Sequence, residues 1–107
     1  MSDRSEQAAI DVVRDFLGAL ERLDVDAAMA LTTDDVVYQN VPLPAAKGRE
    51  AVAKTLRTMT RYGTGFEVVY HNVAASGSTV LTERTDVLIA GRVRAAFWVC
   101  GTFEVRD

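Results

Sequence analysis

One cysteine and one histidine among 107 residues leave little from which to build a covalent staple or a metal centre. An intrachain disulfide needs two thiols, so Cys100 excludes one. Within Phe97-Trp98-Val99-Cys100 it reads as a small buried hydrophobe, because no histidine or cationic cluster beside it would activate a thiolate. His71 stands alone, with no clustered ligands at metal spacing, so neither a metal nor another cofactor is expected. A basic tract is missing too; with net charge −3 and a pI near 5.1, the chain offers nucleic acid no footprint. The polar start Met1-Ser2-Asp3-Arg4-Ser5-Glu6 lacks the apolar run of a secretory signal. The apolar stretch Ala95-Ala96-Phe97-Trp98-Val99-Cys100 falls far short of the roughly 20 residues a membrane helix needs. A cytoplasmic protein without membrane or nucleic-acid partners is the expectation.

What is present suits one domain over residues 1–107, with no repeat, low-complexity tract or linker. A chain of this size can close a single core, burying roughly 60–70% of its unfolded surface. From Ser5 to Leu23, Ile10, Val13, Leu17 and Leu20 form a helical stripe, with Asp11, Arg14, Asp15 and Glu21 largely away from it. Asp24 can cap a short second helix through Asp26 to Leu31. Val36 to Val41 reads as a strand that Pro42 and Pro44, the only prolines, stop. A third helix follows Gly48-Arg49-Glu50, burying Val52, Leu56 and Met59. Three strands complete the chain: Phe66 to Val73, Thr79 to Ile89 and Val93 to Val105. Helices first and long antiparallel strands later make an α+β fold, helices covering one side of the sheet.

Two strand pieces carry the chemistry. Alternate residues of a strand share a face, so Tyr38 and Asn40 point together, as do Arg84, Asp86 and Leu88. Should those faces converge, they bring together a water binder, a proton carrier and a cation. Each has a plain alternative. Arg84 and Asp86 can be a buried structural ion pair, each group neutralising the other. Tyr38 and Asn40 can satisfy backbone groups at a strand end. His71 reads as a solvent-facing or hydrogen-bonded strand residue, and Glu83 alternates away from Arg84 and Asp86. On the last strand Phe97 and Trp98 face opposite sides; Phe97 is the pocket candidate, and Trp98 suits packing beneath helices or a subunit contact.

Taken together, the segments resemble the limonene-1,2-epoxide hydrolase family. Tyr38-Gln39-Asn40-Val41-Pro42-Leu43-Pro44 with Gly48-Arg49-Glu50-Ala51-Val52 is similar to that family's water-binding strand and the helix after it. Thr82-Glu83-Arg84-Thr85-Asp86-Val87-Leu88 is similar to its Arg-x-Asp strand, and Gly101-Thr102-Phe103 to its penultimate strand. The resemblance runs from about Ile10 to Asp107. It implies a cone-shaped fold of the nuclear transport factor 2 type, with a curved mixed sheet, and a homodimer. It also implies cofactor-free addition of water to an epoxide, giving a vicinal diol. Asp86 would protonate the departing oxygen and Arg84 would bridge two catalytic carboxylates. Tyr38 and Asn40 would hold the nucleophilic water together with a second aspartate acting as base. Leu17, Leu20, Met59, Leu88, Phe97 and Val99 would line an apolar pocket for a lipophilic substrate.

In that family the base aspartate lies on a final strand bearing Trp-Arg-Asp-Tyr, which the sequence through Asp107 does not contain. The domain is therefore expected to be incomplete at its C-terminal side and, in this form, a poor epoxide hydrolase. A single carboxylate beside a guanidinium favours its charged form, which has no proton to give. Two other functions fit the same layout. One is a non-catalytic domain that binds small apolar ligands; the other is a proton-transfer enzyme of ketosteroid-isomerase or polyketide-cyclase type.

Overall fold

A computed structural model of the chain describes residues 3–39 and 44–106. Helix α1 (Asp3–Glu21) forms where the apolar stripe placed one. It buries Ala9, Val13, Leu17 and Leu20 and leaves Asp11, Arg14, Asp15 and Glu21 exposed. The helix closes in a Schellman turn: Asp24 N–H donates to the Ala19 carbonyl and Leu23 N–H to that of Leu20, both at 2.9 Å. Glycine usually occupies the left-handed position of such a turn. Here Leu23 does, at φ 57°, and a branched residue there costs about 1–2 kcal/mol. Asp24 then caps α2 (Val25–Met29), its carboxylate accepting from Ala27 N–H at 3.0 Å, as its position before an apolar segment implied.

The strand expected over 36–41 is only β1 (Val37–Tyr38) within the described residues. It pairs antiparallel with β2 (Ala46–Lys47), which the sequence pattern did not announce. Helix α3 (Arg49–Arg61) follows, burying Val52, Ala53 and Leu56. Full burial of side chains like Val52 and Leu56 stabilises by about 1.5–3 kcal/mol each. Arg49 anchors the approach to β1. Its guanidinium donates to the carbonyls of Met29 (3.2 Å) and Thr32 (2.9 Å) and pairs with Asp34 at 3.3 Å.

Three long strands form the main sheet in the order β3 (Gly65–Ser76), β4 (Thr79–Ala90), β5 (Val93–Glu104), all antiparallel. No parallel pairing occurs among the described residues, so the mixed character implied by the resemblance is not seen within them. Two-residue turns join the strands, with Gly77 (φ 62°) and Gly91 (φ 60°) taking the left-handed first position that a tight hairpin requires. In β3, Tyr70 pairs with Arg84 and Asn72 with Glu83, leaving His71 as the extra residue of a bulge. The bulge shifts the alternation by one. Phe66, Val68 and Tyr70 before it, and Val73 and Ala75 after it, all pack toward the helices.

Helix α1 lies along β3 and is fixed to it at three points. Glu6 accepts from Gly77 N–H (3.1 Å), Glu21 accepts from Val68 N–H (3.0 Å), and the Arg14 guanidinium stacks 4.5 Å from the Tyr70 ring centroid. Glu21 thereby satisfies a backbone donor on an otherwise open strand edge, and Glu6 one in the turn after it. Strand β5 is less covered, and Phe97 on its helix-facing side is 49% exposed. On the other side, Cys100 is exposed, not the buried hydrophobe its neighbours implied. The reason is register: Trp98 and Cys100 point away from the helices, and no described element covers that side.

Candidate active site

Strand β4 is hydrogen-bonded on both edges, so its side chains have little freedom to drift. Its even-numbered residues Val80, Thr82, Arg84, Asp86 and Leu88 face the helices. Arg84 and Asp86 form a bidentate pair: Nε donates to Oδ1 at 2.8 Å and Nη2 to Oδ2 at 3.0 Å. Their side chains are only 9% and 13% exposed. Nη1 donates to Thr82 Oγ1 at 2.9 Å, and the Phe103 ring centroid lies 5.7 Å from the guanidinium carbon. Among the described residues no buried side-chain nitrogen or oxygen lacks a partner. A parallel two-bond contact between charged groups is the strong, direction-fixing form of an ion pair. The carboxylate is therefore held in one plane at the edge of the covered region.

Neighbouring strands supply the surroundings. Across the sheet Arg84 lies between Tyr70 and Val99, and Asp86 between Val68 and Phe97. Val99 thus flanks the cation and Phe97 the carboxylate. Burial lifts the Tyr70 phenol above its ordinary value near 10, an effect partly opposed by the Arg14 charge beside it. Tyr70 is therefore a neutral hydroxyl across the physiological range, in the row next to the ion pair.

Beside these groups a narrow apolar cleft opens between Leu20, Leu23, Leu56, Met59, Phe66 and Leu88. Leu88 is two residues from Asp86 on the same face, although neither Asp86 nor Arg84 lines the cleft, which at about 10 Å³ has room for little more than one water molecule. Tyr38 reaches this region from β1, its hydroxyl 3.8 Å from the Met59 sulfur. Both Tyr38 and Met59 pack against the helix-side core. The phenol thus lies on the same side of the sheet as the guanidinium and carboxylate. Asn40 lies outside the described residues. Of the expected pocket residues, Leu20, Met59 and Leu88 line the cleft, while Leu17 is packed into the core at 3% exposure. Phe97 and Val99 are set beside Asp86 and Arg84 on the less covered part of the sheet.

Sequence reasoning placed Thr82, Gly101 and Phe103 in the family-like segments without giving them a role in the site, and passed over Tyr70 and Leu23. The signal for Thr82 was the same alternation that selected Arg84. A glycine inside a long strand marks close approach of another group, and that could have singled out Gly101. Leu23 had no such mark, since its backbone conformation is set by the helix end.

The opposite face of the sheet carries a separate polar cluster. Glu83 accepts from Asn72 Nδ2 (2.6 Å) and Trp98 Nε1 (3.1 Å), and these bonds hold its carboxyl below the usual range. His71 Nε2 lies 2.7 Å from Thr85 Oγ1. None of these groups reaches Arg84 or Asp86. No cluster able to hold a metal ion occurs among the described residues, and no described helix is long and apolar enough to cross a membrane.

Against known proteins, residues 7–107 match the model of the limonene-1,2-epoxide hydrolase catalytic domain. The chain is 48% identical over 95 residues to epoxide hydrolase EphG of Mycobacterium tuberculosis (strain ATCC 25618 / H37Rv), covering 89% of this chain and 63% of that protein. It therefore spans 63% of the length of that curated relative, less than two thirds. A solved M. tuberculosis LEH-like epoxide hydrolase superposes with a TM-score of 0.86 at 47% identity, covering 95% of this chain and 76% of that one. An NTF2-like protein from Burkholderia pseudomallei K96243 superposes with a TM-score of 0.79 at 15% identity, covering 92% and 82%. At that identity the likeness shows the fold alone, and the fold is NTF2-like.

Proposed function

Because the chain belongs to the limonene-1,2-epoxide hydrolase family, we propose that the protein adds water to a lipophilic epoxide to give a vicinal diol. The observation that carries this reading is the bidentate Arg84–Asp86 pair on the helix side of the sheet, beside an apolar cleft. An epoxide has strain to release but a poor leaving group, and neutral water is a feeble nucleophile. Acid and base assistance together meet both needs, each well-placed proton transfer contributing roughly 10²–10⁴ in rate. With a second carboxylate sharing the Arg84 guanidinium, as the family resemblance implies, one of the two can hold a proton. Asp86 then gives that proton to the epoxide oxygen as the C–O bond breaks. Water forms the new C–O bond and passes a proton to a base, so that one water is consumed and one diol formed.

Arg84 orients the Asp86 carboxyl through its two parallel bonds. Tyr38 and Asn40 hold the water, and Leu20, Met59, Leu88, Phe97, Val99 and, from behind, Leu17 shape the apolar wall. By the family resemblance the base is an aspartate on a final strand, which residues 1–107 do not include. The domain formed by residues 1–107 supplies the acid, the cation and the water binders. Incubating the full-length protein with limonene 1,2-epoxide in oxygen-18 water tests the reaction. The expected result is one labelled oxygen in the diol and slow or no turnover by residues 1–107 alone. An isomerised product without label would replace hydrolysis by proton transfer, and binding without turnover would leave a ligand carrier.

A homodimer through the outer sheet face belongs to the same proposal. Val69, Leu81 and Trp98 are exposed there at 49%, 50% and 65%, apolar surface that a second copy would cover. Trp98→Asp is expected to shift the protein toward monomer in sedimentation; an unchanged mass would place the contact elsewhere.

A further inference from the structure

We infer that Thr82 and Gly101 are positioning residues for the Arg84 guanidinium, and through it for the Asp86 carboxyl; this rests on the epoxide-hydrolase reading above. The guanidinium is enclosed on three sides. Nε and Nη2 are engaged by the two carboxylate oxygens, and Nη1 by the hydroxyl of Thr82, which is 4% exposed. Gly101 is the residue paired with Thr82 across β4 and β5. A Cβ built on it would stand 2.7 Å from Arg84 Nη1, 3.0 Å from Thr82 Oγ1 and 3.0 Å from Phe103 Cε1.

The backbone does not ask for glycine here, because Gly101 is not among the residues of positive φ. What asks for it is space. The group it would strike is not a free side-chain end but a cation held by three hydrogen bonds, so it cannot swing aside without breaking some of them. A strand-interior glycine costs about 0.5–1 kcal/mol relative to alanine. At this position the cost leaves a notch that fits the guanidinium edge. Thr82 acts from the other direction, directing Nη1 so that the remaining donors meet the carboxylate in plane. Asp86 then inherits its angle from Arg84.

The test uses the full-length protein and limonene 1,2-epoxide as the probe, with Thr82→Val, Thr82→Ser and Gly101→Ala. Thr82→Val keeps the side-chain shape and removes the hydroxyl; Thr82→Ser keeps the hydroxyl. Thr82→Val and Gly101→Ala are each expected to lower kcat about 10–100-fold with little change in KM, as a misplaced catalytic group does. Thr82→Ser should restore most of the loss. The double variant Thr82→Val/Gly101→Ala should lose less than the product of the singles, since both act on one group. A second readout is the Arg84 Nε–H signal in nitrogen-15 spectra, expected to exchange slowly in the wild type and to shift and exchange faster in Thr82→Val and Gly101→Ala.

Unchanged kcat and unchanged Nε–H signal in Thr82→Val would overturn the inference, as would Thr82→Ser being as impaired as Thr82→Val. Should Gly101→Ala not fold, the threonine series decides alone. If the wild type opens no epoxide, the functional reading falls, while the Nε–H signal still reports whether these two residues hold the guanidinium.

Discussion

Asp86→Asn in the full-length protein is expected to lower kcat for diol formation by roughly 10²–10⁴, the range for loss of one general acid. The KM for the epoxide should stay close to the wild-type value, because the amide keeps the shape of the carboxyl and the apolar cleft is untouched. Asparagine can still accept from Arg84, so the arginine keeps part of its engagement, but it has no acidic proton to deliver to an alkoxide. Steady-state kinetics with limonene 1,2-epoxide, alongside a thermal unfolding trace, separate lost chemistry from lost structure. Turnover that survives the change would remove Asp86 from the acid role.

Asp86→Leu is expected to destabilise the fold by about 3–5 kcal/mol, because it leaves the nearly buried Arg84 cation unpaired. That is a large share of the about 5–15 kcal/mol that holds a domain together. Arg84→Met combined with Asp86→Leu is expected to recover that loss, ending near or above wild-type stability, since a packed apolar pair avoids the desolvation of two charges. The recovered protein should have no epoxide turnover. Denaturant midpoints of the wild type, the single and the double variant make the comparison. A double variant no more stable than Asp86→Leu would mean that the pair is kept for the fold, the structural alternative its position on a strand always allowed.

Strand alternation made much of this molecule legible. It put Arg84, Asp86 and Leu88 on one face, and the structure has them there, against the helices. The i, i+4, i+7 spacing of Val13, Leu17 and Leu20 likewise located the buried side of α1. It did not separate core from cleft: Leu17 and Leu20 share one stripe, yet only Leu20 reaches the opening. That difference depends on where α1 ends over the sheet, a tertiary fact. Cys100 was misread for a related reason. Its apolar neighbours implied burial, but they alternate, and the face it occupies has no cover among the described residues. β2 is two residues long and exists because β1 needs a partner, so no local pattern announced it. The bulge at His71 shifts the alternation within β3, and nothing in Tyr70-His71-Asn72 reveals which residue is extra.

The charged couple sits on the strand most firmly tied into the sheet, whereas the walls of the adjoining opening come mainly from the end of α1, from α3 and from the start of β3. Under the proposed function, taste and chemistry are thereby housed in different parts of the molecule. Substitutions at Leu20, Leu23 or Met59 would then redraw the outline of acceptable guests while Arg84 and Asp86 keep their alignment. A scaffold divided in this way can diversify its diet through many small steps, none of which requires reinventing the reaction.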